Sequence, residues 1–163
     1  MKTLLIVYHS VTGGSHQMAL AAAAAAKSET AVRTTILRAV DTQAIHLLEA
    51  DGYLFVCPEN LGTVSGMMKD FFDRTYYAAL DRLNGRPYAA MICAGSDGQG
   101  AARQLARIAM GWRLKAIAPA VIVMTWAQTP EAILAEKQIG EADLERCRDL
   151  AGALAGGLAL SIF

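Results

Sequence analysis

The chain has 163 residues, 54% of them hydrophobic, which is enough material for one domain with a sizeable core, spanning residues 1–163, and calls for no linker. Lys plus Arg and Asp plus Glu each count 15, so neither a basic footprint for nucleic acid nor an acidic docking surface exists, and the expected partners are small molecules or a second copy of the chain. The 3 cysteines, Cys57, Cys93 and Cys147, are odd in number and far apart, which argues against a disulfide frame or a metal site and for core thiols in a reducing, cytoplasmic compartment; no stretch has the length of a membrane span.

Leu4 to Tyr8 is a short apolar run, the pattern of a strand buried on both faces. It ends too soon to serve as the apolar core of a secretion signal. His9-Ser10-Val11-Thr12-Gly13-Gly14-Ser15-His16 follows, and from Ser15 to Lys27 an alanine-rich stretch reads as a helix. The loop therefore feeds directly into a helix N-terminus. Unpaired N–H groups, the positive end of the helix dipole and the hydroxyls of Ser10, Thr12 and Ser15 converge there, and Gly13 and Gly14 allow close backbone approach. The plainer alternative is a capped turn with glycines for sharpness. Neither Gly-x-x-x-x-Gly-Lys-Ser/Thr nor Gly-x-Gly-x-x-Gly occurs. A hydroxyl-rich loop without a cation suits one terminal phosphate.

Ala31 to Leu37 reads as an edge strand, and Asp41 is placed to cap a short helix through Glu49. Tyr53 to Cys57 is a second fully apolar strand, which runs into a loop rich in breakers, Pro58 to Gly66. Ser65 can cap the next helix, Met67 to about Leu80, with Met67, Met68, Phe71, Phe72 and Thr75 on its core face. Asn84-Gly85 is a turn before the strand Tyr88 to Cys93, followed by the glycine-rich loop Ala94-Gly95-Ser96-Asp97-Gly98 and a helix from Ala101 to about Trp112. Pro119 to Thr125 is the fifth strand; a short helix and a long one from Glu141 to about Leu160 close the chain.

Five strands alternating with helices, too apolar for burial on one face only, predict an α/β fold: a doubly wound five-stranded parallel sheet, order 2-1-3-4-5, with helices on both faces. Such sheets bind ligands beyond the C-terminal strand ends, where the loops after strands one, three and four meet.

The motif Ser10-x-Thr12-Gly13-x-Ser15 after a first strand resembles the FMN-phosphate loop of flavodoxin-like proteins. The segment Pro58 to Arg74 is similar to the matching region of flavodoxin-like NAD(P)H-dependent FMN and quinone reductases. The resemblance implies that Ser10, Val11, Thr12, Gly13, Gly14 and Ser15 hold the phosphate. It implies that Glu59, Asn60, Leu61, Gly62 and Thr63 line the flavin ring with Pro58 shaping the turn, and that Ala94, Gly95, Ser96, Asp97 and Gly98 close the opposite rim. Gly14 departs from the family loop, which often carries asparagine there. The aromatic sandwich and acidic surface of electron-carrier flavodoxins are missing, and Leu61 takes a place open to an aromatic. Response-regulator domains share the topology but need acidic residues where His9 and Ser10 stand.

The implied function is an FMN-dependent oxidoreductase, with NAD(P)H as cosubstrate and a quinone or similar small molecule as acceptor; the flavin carries the chemistry, so no catalytic side chain is assigned. An electron carrier and a non-catalytic binding module are the alternatives. His9 and His16 flank the phosphate loop, as added charge or simply solvated. Cys57 and Cys93 sit near the crevice as redox thiols or, more plainly, core residues. Trp126 either roofs the ring or packs on the last helix. Tyr76 and Tyr77 face a substrate or a partner, and Gly152 and Gly156 allow close approach to the sheet or another subunit.

Overall fold

The computed structural model describes residues Met1–Phe163. In chain order the first elements are β1 (Lys2–Tyr8), α1 (Gly14–Lys27), β2 (Val32–Arg38), a 3-10 turn (Ala39–Asp41), α2 (Ala44–Glu49), β3 (Gly52–Asn60), β4 (Thr63–Val64) and α3 (Gly66–Ala79). There follow β5 (Pro87–Ala94), α4 (Gln99–Gly111), β6 (Lys115–Ala116), β7 (Val121–Met124), α5 (Pro130–Leu134) and α6 (Glu141–Ala159). The parallel sheet runs β2-β1-β3-β5, with β6 and β7 both beside β5 and β4 paired antiparallel to the end of β3. Counting β6 and β7 as one position, this is the expected order 2-1-3-4-5.

Alternation along the strands sends residues to two cores. Leu5, Val7, Tyr53, Phe55 and Cys57 pack under α2, α3 and α4, around Phe71, Phe72 and Trp112. Leu4, Ile6, Leu54, Val56, Met91 and Cys93 pack under α1 and α6. The alanine block of α1 buries Ala19, Ala22, Ala23 and Ala26 here, so α1 lies close to both the sheet and α6. No helix is long and apolar enough to cross a membrane.

Several local expectations are corrected. The fifth strand is split and its longer part starts at Val121, because Pro119 has no N–H to donate to a ladder. Asp41 ends a 3-10 turn, and α2 is capped instead by Gln43 with His46, whose Nδ1 accepts from the Gln43 N–H at 2.9 Å. Ser65 stands at the N-cap of α3 but gives its side chain to His9 rather than to the helix. Met68, Phe71, Phe72 and Thr75 are buried as expected, whereas Met67 is exposed. Tyr76 stacks on Trp112, with ring centroids 5.6 Å apart, and Tyr77 is exposed. A Cβ at Gly152 or Gly156 would meet nothing within 4 Å; the close contact on α6 is at Gly157, against the Phe163 ring.

Candidate functional site

The C-terminal ends of β1, β3 and β5 deliver three loops to one edge of the sheet. At the first, Gly13 takes φ 93, a left-handed conformation suited to glycine, and its carbonyl accepts from the Gln17 N–H at 3.0 Å to start α1. A Cβ on Gly14 would lie 2.7 Å from Cys93 Sγ, so only glycine lets the loop rest against the end of β5.

The hydroxyls of this loop are arranged as donors. Ser10 Oγ accepts from the Gly13 N–H at 3.1 Å, and Thr12 Oγ1 accepts from Lys137 Nζ at 3.3 Å, which leaves each hydroxyl proton for another acceptor. Ser15, only 2% exposed, has an Oγ with no hydrogen-bond partner. Leaving a buried hydroxyl unpaired costs about 1–3 kcal/mol. A donor set of this kind, at a helix N-terminus with a glycine cradle beside it, fits a phosphate.

Two adjoining cavities open here, sharing Thr12, Pro58, Asn60, Cys93 and Ile133. The smaller, about 210 Å³, is lined by Ser10, Val11, Thr12, Gly14 and Ser15 among others. The larger, about 470 Å³, runs from Thr12 past Glu59, Asn60, Leu61 and Gly62 to Ala94, Gly95 and Ser96. Gly13, Thr63, Asp97 and Gly98, also expected at the site, line neither. Gly13 shapes the α1 start, and the Thr63 hydroxyl lies 3.2 Å from the Asn60 carbonyl. Asp97 is exposed, and Gly98 caps α4 with φ 82.

The second and third loops hold each other. Glu59 Oε1 accepts from the Gly98 N–H and Oε2 from the Ala101 N–H, both at 2.9 Å, so its carboxylate closes the N-terminus of α4. The breaker-rich stretch after Pro58 is not a free loop: β3 continues to Asn60 and turns back into β4 at Leu61 and Gly62, with φ 52 and 76. A tight hairpin turn with two left-handed central residues is compatible with Gly62 and strained at Leu61, whose side chain is fully exposed at the cavity wall.

The sequence gives no warning of a strap that crosses the phosphate loop. The Lys137 N–H donates to the Thr12 carbonyl at 2.8 Å, and Gln17 clamps the strap by donating to the Lys137 carbonyl at 2.7 Å and accepting from the Ile139 N–H at 3.0 Å. The loop expected to lack a cation thus has Lys137 beside it. Ile133 and Leu134, on the same strap, overhang the smaller cavity. No local motif marks these residues, which lie more than a hundred positions from Thr12.

On the other side of the phosphate loop His9, His16 and Arg38 line a further cavity of about 410 Å³, which shares Ser10 and Val11 with the smaller one. His9 Nδ1 and Ser65 Oγ share a hydrogen bond at 2.7 Å, and burial holds the imidazole below its usual pKa. His16 stacks on Tyr8 at 5.2 Å. All three cysteines are buried and free, and burial pushes the thiols up to about 12 for Cys57 and about 11 for Cys93 and Cys147. Cys57 and Cys147 lie in the two cores, whereas Cys93, although buried, also reaches the wall of both cavities. Trp126 is exposed with φ 58 and lines neither cavity, while its neighbours Thr125 and Ala127 line the larger one.

The sequence pattern of NADPH-dependent FMN reductases matches residues 38–129, which contain the second and third loops but not the phosphate loop. A curated relative, the NAD(P)H dehydrogenase (quinone) of Acidithiobacillus ferrooxidans, is 30% identical over 95 residues, 46% of this chain and 48% of that protein, so the match spans about half of the relative's length. A solved flavodoxin from the domain Archaea superposes with a TM-score of 0.77 at 20% identity, over 96% of this chain and 98% of its own. A WrbA-like flavodoxin from Agrobacterium tumefaciens gives 0.74 at 19% identity, over 99% of both chains. The two structural likenesses establish the flavodoxin-like fold, and with the family pattern covering more than half of its length the chain belongs to the NADPH-dependent FMN reductase family.

Proposed function

We propose that the crevice binds FMN, with its phosphate among Ser10, Thr12 and Ser15 and its ring along the larger cavity, and that the protein passes a hydride from NAD(P)H through the flavin to a quinone or similar small acceptor. The observation that carries the cofactor assignment is the unpartnered, buried Ser15 Oγ in a cavity continuous with a larger one between the second and third loops. FMN, when bound, supplies the two-electron chemistry. The chain's part is to bind and orient it: donors on the first loop meet the phosphate, and the hairpin at Asn60 to Gly62 offers backbone groups along the ring edge.

The reductase reading over an electron carrier is supported by the lining of the larger cavity, which contains no aromatic side chain. A ring there keeps a face open to a nicotinamide. Net charge of zero leaves an anionic nucleotide unrepelled.

The test is titration of purified protein with FMN, FAD and riboflavin, followed anaerobically by NADH or NADPH and then a quinone. FMN should bind in preference to the other two, bleach with a nicotinamide nucleotide and regain colour with the quinone. Bound FMN that neither nucleotide reduces, but that a separate reductase protein does, would make this a carrier. A folded protein that ignores FMN at micromolar concentration would be a binding module of another kind.

A further inference from the structure

We infer that Lys137, delivered by the strap between β7 and α6, is the positioning residue of the phosphate site and sets the selectivity for a phosphorylated flavin. The inference rests on the reading of the crevice as a flavin site. The ammonium has the carbonyls of Ala132, Ile133 and Ala135 at 2.9, 2.8 and 2.6 Å and Thr12 Oγ1 at 3.3 Å, four acceptors for three N–H groups, so the longest contact, to Thr12, shares its proton with a carbonyl. Those three carbonyls belong to the end of α5 and the residue after it, so the strap folds around its own lysine and presents it to Thr12 already immobilised.

The consequence at Thr12 is directional. A hydroxyl that accepts from an ammonium, which has no lone pair to offer in return, must give its own proton elsewhere. Thr12 lines both cavities, so its proton is available to an anion in either; Lys137 itself lines the larger cavity and stands one hydroxyl away from the smaller. Ser15 Oγ, buried and unpartnered in the smaller cavity, points independently to the same ligand. No carboxylate lines that smaller cavity; Glu136, next to the lysine, instead lies beside Gly13. A phosphate there meets donors, a helix N-terminus and one nearby cation. Riboflavin, which ends in a hydroxyl, gains nothing from the cation.

The experiment compares FMN and riboflavin affinities, by flavin fluorescence quenching, in wild type, Lys137→Met, Lys137→Gln and Lys137→Arg. Circular dichroism establishes folding of each. Met and Gln should weaken FMN at least tenfold and leave riboflavin within about twofold, and Arg should recover most of the loss. In wild type grown with ¹³C-labelled lysine, the unmodified side chain reports directly: the Lys137 Cε signal should move on adding FMN and stay on adding riboflavin. Equal loss of both flavins in the variants would make Lys137 a mere brace for the strap. An unmoved Lys137 signal at FMN saturation overturns the inference even where a variant does not fold. Wild type that binds riboflavin and FMN equally overturns it while leaving a flavin site, whereas wild type that binds neither flavin overturns both readings.

Discussion

Glu59 and Gly98 are joined by a 2.9 Å hydrogen bond from the Gly98 N–H to the carboxylate, and the same carboxylate holds the Ala101 N–H. The side chain at the end of β3 thereby sets the distance between the two loops that wall the larger cavity. It also places a negative charge at the positive end of α4.

Replacing Glu59 with Gln keeps one acceptor but turns an amide N–H₂ toward a backbone N–H, and Ala leaves both donors unpaired. Gln should cost about 1–2 kcal/mol and Ala about 2–3 kcal/mol of unfolding free energy. Urea denaturation measures both. An Ala variant as stable as wild type would mean that the two loops are held by something else.

Leu61 sits at φ 52 with its side chain fully exposed, so its strain is not offset by packing. Asn tolerates the left-handed region better and suits this hairpin turn. Leu61→Asn should therefore raise the melting temperature by about 2–4 °C. If the leucine serves as apolar cover for a flavin ring, the same variant should bind FMN more weakly, a trade between stability and binding that calorimetry and titration can read together.

The course of the chain was legible wherever a local rule decided it. Leu4 to Val7 and Tyr53 to Cys57 could only be strands buried on both faces, and the glycine and hydroxyl residues after them marked the crevice. What the sequence hid was set by contacts far apart in the chain. Ser65 looks like a helix cap until His9 takes its hydroxyl, and Glu59, which does line the larger cavity, also holds two N–H groups of the α4 start. Lys137 reaches the crevice because Gln17 and the Thr12 carbonyl hold its backbone there. A residue pattern carries no sign of such a partner.

The cysteines give a pH-dependent expectation. Burial raises all three thiols above their ordinary value of 9.0. The neutral form is thus favoured in the fold, so this contribution to stability is whole below about pH 9 and is lost as pH rises toward the folded values. At pH 8 the native protein should be nearly inert to iodoacetamide over an hour, while the urea-unfolded chain should take up three equivalents. Rapid labelling of Cys93 in the native state would mean that the loop around Gly14 opens often enough to expose it.

Ser15 separates stability from binding most sharply. Its Oγ is buried without a partner in the folded protein, and Ser15 lies in the first turn of α1, where Ala is a better helix former. Ser15→Ala should therefore stabilise the ligand-free protein by about 1 kcal/mol. The same change removes a hydrogen bond to a charged acceptor and should weaken FMN by about one to two decades, with riboflavin little affected. Thr34 on β2 supplies the control, because its Oγ1 is likewise buried and unpartnered but lines neither cavity of the crevice. Thr34→Val should match or exceed wild-type stability and leave FMN affinity unchanged. Thermal melts without flavin and fluorescence titrations with both flavins distinguish the outcomes. If Ser15→Ala destabilises the ligand-free protein, the hydroxyl has a structural partner in solution; if it is stabilising yet FMN affinity is unaltered, the phosphate does not bind at this loop.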